Sequence, residues 1–273
     1  MSGAFTIYRK ELRDAVQSRW LIAFAITFAL VATLIAQVQG QGGDIGGQGL
    51  NRTTASLINL CLMLVPLLAL LLGAASISGE RERGTLATLL SQPITNTEFL
   101  LGKYMGLNVA LWLAVGLGFG GAGLLMAFLG ATAGLGTYMG FVLLSAVLAS
   151  AMLGVGMLLS VVSDSRLKAI ALAVLAWFLF VLAYDLGAIS MALALTPSGR
   201  TLFLAVAANP VEAVRILAVM SIEPDMDVLG PLGAYVSDTL GRTGAIAFLS
   251  AAIAMWALIP VAVAAWLFGQ QDA

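Results

Sequence analysis

The sequence predicts an all-α integral membrane protein. Of its 273 residues, 60% are hydrophobic and 10% are charged, whereas an ordinary soluble domain has about 45–50% apolar and about 25% charged residues. The mean hydropathy of +1.01 also indicates that much of the surface faces lipid. The long apolar runs do not alternate with polar residues as membrane β-strands do, so we expect helices to satisfy the backbone polar groups in the bilayer.

Six stretches are long enough to cross a hydrocarbon core, which takes about 20 helical residues. The predicted spans are 20–38, 57–79, 104–129, 137–162, 169–191 and 244–268. They form a single transmembrane domain over 1–273. Among them, a charged residue occurs only in the fifth span, at Asp185.

The distribution of basic residues orients these spans. With a cytoplasmic N-terminus, nine Lys and Arg residues fall on the inside and four on the outside, as the positive-inside rule requires. Six spans then return the C-terminus to the cytoplasm. A cleaved signal peptide is disfavoured, because its n-region would be unusually long and would contain Glu11 and Asp14.

An amphipathic helix is predicted over 4–19, before the first span. Helical spacing places one set of residues on an apolar face: Phe5, Tyr8, Leu12, Val16 and Trp20. The opposite face is polar: Arg9, Lys10, Arg13, Asp14 and Gln17. Such a helix lies in the headgroup plane. It is either a simple anchor or a lever for a cytoplasmic partner, and the candidate contact residues are Tyr8, Arg9, Lys10, Arg13 and Trp20.

The inner loop 80–103 contains the densest charge cluster of the chain. Its composition predicts a short helix over Thr85–Leu90 that ends before Pro93, and Thr95 with Glu98 has the spacing of a capping box. We therefore expect a compact loop suited to receiving force from a docked protein. Its candidate residues are Glu80, Arg81, Glu82, Arg83, Gly84, Thr85, Leu86, Pro93 and Glu98. The second inner loop, 163–168, reads as a plain hairpin turn.

The outer segments carry weaker signals. The glycine-rich loop 39–56 is typical of a flexible connection, and the outer segment 192–243 predicts a short helix over Val211–Met220 that stays near or re-enters the outer leaflet. Three acidic residues there either form a solvated turn or bind an external partner or cation: Glu223, Asp225 and Asp227. Asp185 is by default a functional-site hypothesis, with a structural role at the outer end of its helix as the alternative.

Composition excludes several kinds of chemistry. The chain has no histidine and a single cysteine, Cys61, so a Ser-His-Asp triad, an HExxH zinc site and a thiolate cluster are absent. No Walker A lysine loop is present, and a net charge of −1 argues against nucleic-acid binding. The glycines of Gly116–Gly121 and of Gly102-x-x-x-Gly106 lie in or beside a predicted span, where small residues favour close helix packing. We expect no metal and no cofactor on this chain.

Two runs resemble the ABC permeases of the type-2 exporter class. They are ISGERERGTL at Ile77–Leu86 and PITNTEFLLGK at Pro93–Lys103. The interfacial helix, six spans and re-entrant-like outer segment also match the layout of that class. Within it, the run Ala208–Leu217 and the glycine-rich outer loop are similar to permeases of transporters that mature nitrous oxide reductase, a copper enzyme.

The resemblance implies a non-catalytic subunit of a bacterial inner-membrane transporter. It implies a homodimer, two cytoplasmic ATPase subunits that hold ATP and Mg, a periplasmic accessory protein, and 80–103 as the coupling element. The absence of His and paired Cys disfavours a copper path through this subunit, so a sulfur species or mechanical work on the outer partner fits as well. Two alternatives are a secondary transporter, for which repeats and several mid-membrane charges would be expected, and an intramembrane enzyme.

Overall fold

The computed structural model describes residues 3–40, 48–86, 94–128, 135–187, 198–222 and 226–270. Within these residues every regular element is a helix, which confirms the predicted all-α class. The first elements are α1 Gly3–Val16, α2 Arg19–Gly40, α3 Gln48–Glu82, α4 Asn96–Phe128, α5 Leu135–Val162 and α6 Arg166–Trp177. The later elements are a π-helix Phe178–Ala183, α7 Gly199–Ala207, α8 Pro210–Ile222, a 3₁₀-helix Met226–Leu229, α9 Pro231–Tyr235, a π-helix Val236–Leu240 and α10 Gly241–Gln270.

Five helical stretches of the described residues are long and apolar enough to cross a membrane. They are Ile58–Glu82, Asn96–Gly121, Gly136–Val162, Arg166–Gly187 and Pro231–Gln270. Two bent helix pairs would raise the number to seven: α1 with α2, bent by 53°, and α7 with α8, bent by 115°. The number of six spans therefore stays a prediction, and its first span lies within α2.

The centre of the bundle is the contact between α3 and α5, where two glycines face each other. A Cβ atom on Gly73 would lie 2.5 Å from the carbonyl oxygen of Leu153, and one on Gly156 would lie 2.5 Å from that of Leu70. The two backbones therefore touch. Close approach of this kind maximises van der Waals contact between the helices. This contact is needed because no hydrophobic driving force associates helices in lipid.

Polar side chains add cross-helix hydrogen bonds to this contact. The Ser160 hydroxyl of α5 accepts from the backbone N–H groups of Ile77 and Ser78 of α3, at 3.1 and 2.8 Å. The Cys61 thiol donates to the Ser145 hydroxyl at 3.0 Å. Without water in the hydrocarbon core, such groups must find partners within the protein, so they fix the position of α3 against α5.

The outer segment contains more helix than the single one expected over Val211–Met220. The structure has α7 and then α8, separated by a sharp corner at Asn209. The Asn209 side chain accepts from the backbone N–H of Val211 at 2.9 Å and donates to the carbonyl of Phe180 at 2.7 Å. Asn209 therefore ties this corner to the π-helix that follows α6.

Candidate functional site

The interfacial helix α1 packs against the first turns of α4 through two glycines. A Cβ atom on Gly102 would lie 2.7 Å from the carbonyl oxygen of Ala4. One on Gly106 would lie 2.7 Å from the Glu11 Cβ and 2.9 Å from the Tyr8 carbonyl oxygen. The close packing expected of Gly102-x-x-x-Gly106 is thus confirmed, with α1 as the partner. The same expectation is wrong at Gly116 and Gly120, where a Cβ atom would meet nothing within 4 Å among the described residues.

The face of α1 that packs against the protein overlaps only in part with the predicted apolar face. Ala15 is buried, and Ile7 and Leu12 pack against the core, whereas Phe5 is 46% and Val16 is 41% exposed. A helix in the headgroup plane presents apolar side chains to the bilayer, so exposure of Phe5 and Val16 leaves the predicted apolar face a prediction. The glycine surface of α4 contacts the side of α1 that carries Ile7 and Glu11, and this contact leaves Phe5 and Val16 outside it.

Lys103 is the centre of a buried ion-pair network on this surface. Its ammonium lies 2.6 Å from Oε1 of Glu11 in α1 and 2.7 Å from Oε1 of Glu80 in α3. The lysine is 2% exposed and its Nζ lies 5.5 Å from the centre of the Phe99 ring. Buried charges persist only when paired and hydrogen-bonded, so Lys103 fastens α1, α3 and α4 to one another at a single point.

The second oxygen of Glu80 is buried and has no hydrogen-bond partner among the described residues. The nearest further cation is Lys10, whose Nζ lies 4.0 Å from Oε1 of Glu80 and also 4.0 Å from Oε1 of Glu11. Two cations and two carboxylates therefore balance within the network. Lys10 contributes its charge from a half-exposed position, since its side chain is 50% exposed.

The other charges of the cluster contact the second inner loop. Arg81 donates to the Ser163 carbonyl at 2.6 Å, and the Glu82 carboxylate accepts from the backbone N–H of Arg166 at 3.2 Å. Arg83 instead turns back onto the Gly79 carbonyl at 2.9 Å. The end of α3 is thereby joined to the link between α5 and α6, which the sequence presents as a plain turn.

Several charged residues of the predicted loop 80–103 lie in helices in the structure. Glu80 lies in the last turn of α3, which ends at Glu82, and α4 begins at Asn96. Gly84 has a φ of +70°, a conformation that suits glycine at a helix C-terminus. The Thr85 hydroxyl then donates to the Glu80 carbonyl at 3.2 Å.

The inner loop ends at a capping box formed by Thr95 and Glu98, at the start of α4. The Thr95 backbone N–H donates to the Glu98 carboxylate at 3.0 Å, and the Glu98 N–H donates to the Thr95 hydroxyl at 3.2 Å. This reciprocal pair confirms the predicted capping box and starts α4. Leu86 is partly buried against the core. Pro93 and the rest of 87–93 lie outside the described residues, as does most of the helix predicted over Thr85–Leu90.

The basic residues proposed for the interfacial helix point away from the network, apart from Lys10. Arg9 and Arg13 are exposed, and the Tyr8 ring lies 6.0 Å from that of Phe5. Trp20 is helical in α2, but its side chain lies outside the described residues. The structure thus separates the predicted contact residues into a packed side and an exposed basic side.

Asp185 has a partner that the sequence analysis missed. Arg215 of α8 contacts both of its carboxylate oxygens, at 2.8 and 3.2 Å, and also lies 2.9 Å from Glu212. Bidentate Arg–carboxylate pairs are the strong, oriented kind. The pair links α8 to the end of the span that begins with α6, as the structural alternative for Asp185 requires, and a functional role for Asp185 stays a prediction.

The acidic outer residues are only partly described. Glu223 and Asp225 lie outside the described residues, and Asp227 is in the 3₁₀-helix but its side chain is not described. Their contact with an outer partner therefore stays a prediction. The described residues contain no group of three or more His, Cys, Asp or Glu side chains that could hold a metal ion.

Glu11 and Lys103 are site residues that the sequence pattern alone does not indicate. A lysine that begins a long apolar helix was a usable signal, because such a charge needs a partner inside the protein. The identity of that partner was not readable, since Glu11 lies 92 positions away along the chain.

Comparison with known proteins agrees with this architecture. The family model described as ABC-2 family transporter protein matches residues 5–273. A probable ABC transporter permease protein NosY of Stutzerimonas stutzeri is 35% identical over 241 residues, which cover 85% of this chain and 87% of that protein. A protein of the same description from Pseudomonas aeruginosa is 34% identical over 276 residues, which cover 98% of each chain. The chain therefore belongs to the ABC-2 transporter family, as a multi-pass membrane permease subunit of an ABC transporter.

Proposed function

We propose that this permease couples ATP hydrolysis by a partner subunit to movement of its spans, either for export or to transmit force to a periplasmic partner. In this proposal the chain forms a homodimer with two cytoplasmic ATPase subunits, which hold ATP and Mg. It lies in a bacterial inner membrane with both termini in the cytoplasm. Membership of a family of transport subunits favours this function over a secondary transporter or an intramembrane enzyme.

The observation that carries the proposal is the network of Glu11, Lys103 and Glu80. It joins α1, α3 and α4 where the segment between α3 and α4 leaves and re-enters the bundle. A force applied to that segment would therefore act on α1, α3 and α4 together. Glu82 and Arg81 would pass the same force to the link before α6.

We further propose that the transporter serves assembly of the copper site of nitrous oxide reductase. The support is the similarity to two proteins named NosY. Because the whole chain has no histidine and one cysteine, imidazole and thiolate ligands for copper are scarce. The proposed contribution of this chain is therefore movement of a sulfur species or mechanical work, with copper handled by the periplasmic partner.

The test is purification of the full chain with its copurifying chains identified, followed by ATPase assay of the complex and measurement of reductase copper in the cells. The informative variant is Arg83→Glu, because Arg83 is exposed at the end of α3. Its matched control is Arg200→Glu, which is exposed on the predicted outer side. We expect Arg83→Glu to lower ATPase association and reductase copper while Arg200→Glu keeps ATPase association.

Two results would contradict the proposal. One is a purified, active chain without any ATPase subunit. The other is full function in the double variant Glu80→Ala with Glu82→Ala, because those two carboxylates connect the end of α3 to α1, α4 and the second inner loop. Normal ATPase coupling with unchanged reductase copper would overturn the copper proposal alone.

A further inference from the structure

A groove of about 1120 Å³ lies along the exposed side of α1, beside α4. The residues used below all line it: Phe5, Arg9, Arg13, Asp14, Val16 and Leu113. Gly102 and Gly106 of α4 contact the opposite side of α1. The groove is therefore open to the surroundings, whereas Lys103 of the network is buried. Lys10 belongs both to the Lys103 network and to the lining of the groove, whereas Arg9 and Arg13, on which the site below depends, form no ion pair with that network in the described part of the chain.

The charge of the groove favours an anion. Arg9 and Arg13 lie one helical turn apart and are both exposed, which places their guanidinium groups on one face. In the part of the chain that the structure describes, neither has a carboxylate within 4.0 Å. Lys10 also lines the groove, and Asp14 is its single acid. Guanidinium groups match the geometry of phosphate oxygens.

The ends and wall of the groove are apolar. Phe5 and Val16 flank the two arginines along α1, and Leu113 of α4, which is 48% exposed, faces them. A free inorganic anion would gain nothing from these exposed apolar side chains. A ligand with a phosphate at one end and hydrocarbon at the other would cover both kinds of surface, as at the interface of an amphipathic helix with anionic lipid.

We propose that this groove binds the headgroup of an anionic phospholipid, with Arg9 and Arg13 on its phosphate and the acyl chains along Phe5, Val16 and Leu113. Basic pockets beside transmembrane helices are typical places for such headgroups. The bound lipid would hold α1 at the membrane surface. This site goes beyond the coupling function and does not depend on an ATPase partner.

The test is native mass spectrometry of the delipidated full chain in detergent, titrated with phosphatidylglycerol or with phosphatidylcholine. We expect retention of phosphatidylglycerol over phosphatidylcholine. Removing both cations in Arg9→Gln with Arg13→Gln should weaken phosphatidylglycerol binding roughly 30-fold, since each basic residue near a lipid surface contributes about a fivefold effect. The charge-conserving pair Arg9→Lys with Arg13→Lys should retain most binding and shows that the helix still folds.

The matched control removes two exposed cations outside the groove, in Arg19→Gln with Lys168→Gln. Equal losses in this control and in the glutamine variant would overturn the site, because they would show a net-charge effect. Competition by millimolar inorganic phosphate would also overturn it, since the apolar half would then be unused. Equal binding of both lipids, or cross-linking of Leu113 to a second copy, would likewise contradict the proposal.

Discussion

Replacing Lys103 by methionine would remove the central charge of the network and keep a side chain of similar length. The structure places Lys103 2.6 Å from Glu11 and 2.7 Å from Glu80. At an effective dielectric constant near 20, each contact corresponds to about 6 kcal/mol of Coulomb attraction. The cost of removing these groups from water offsets most of that attraction.

The loss in Lys103→Met should exceed the net value of the pairs, because the buried Glu80 and the largely buried Glu11 lose their close partner and keep only the half-exposed Lys10 at 4.0 Å. Breaking a buried pair in this way typically costs about 3–5 kcal/mol. At roughly 2–4 °C per kcal/mol, the midpoint of thermal unfolding should fall by about 6–20 °C. The triple variant Glu11→Gln, Glu80→Gln and Lys103→Met should recover most of this loss, since no buried charge is left unpaired.

The assay is thermal unfolding of the full chain in one detergent, with Lys168→Met as control. Lys168 is 55% exposed and pairs with Asp164 at 2.9 Å, and this exposed hydrogen bond lowers the pKa of Asp164. A surface pair of this kind contributes little, so Lys168→Met should leave the midpoint unchanged. The reasoning is refuted if Lys103→Met behaves like this control, or if the triple variant is less stable than Lys103→Met.

Three further predictions concern helix contacts. Gly106→Val should lower the unfolding midpoint, because its Cβ would collide with α1. Gly120→Val should not, because a Cβ there meets nothing within 4 Å among the described residues. Equal midpoints of the two variants would argue against this packing. Arg215→Ala should lower the midpoint more than Asp185→Asn. The first variant removes the partner of both Asp185 and Glu212, whereas the second only weakens one pair. The reverse order of the two midpoints would count against the pairing. Thr95→Ala should cost about 0.5–2 kcal/mol through loss of the cap, seen as faster amide exchange at the start of α4, and unchanged exchange would contradict that role.

Local patterns were the part of this fold that the sequence could predict. The apolar runs specify helices because no other partner for the backbone exists in lipid, and the capping box at Thr95 and Glu98 depends on residues three positions apart. Both patterns depend on residues that are close together along the chain. The family resemblance at Ile77–Leu86 and Pro93–Lys103 also rests on short runs, and the comparisons confirm it.

Contacts between distant segments were not predictable in the same way. The side of α1 that carries Ile7 and Glu11 packs on Gly102 and Gly106 of α4, whereas the more apolar Phe5 is exposed. Hydrophobic periodicity ranks faces by polarity alone and contains no information on the surface opposite. The partner of Asp185 was missed for a related reason, because Arg215 belongs to a short helix in the outer segment whose position depends on the corner before it.

The central claim, that the segment after α3 receives the ATPase subunit, is tested most directly by site-specific photo-cross-linking in the assembled transporter. A photoreactive residue would replace Thr85, which is exposed beside the end of α3, and in a matched variant Thr201, which is exposed in α7. We expect an adduct with the ATPase subunit from position 85 and none from position 201. An ATPase adduct from position 201, or none from position 85 in an active complex, would contradict it.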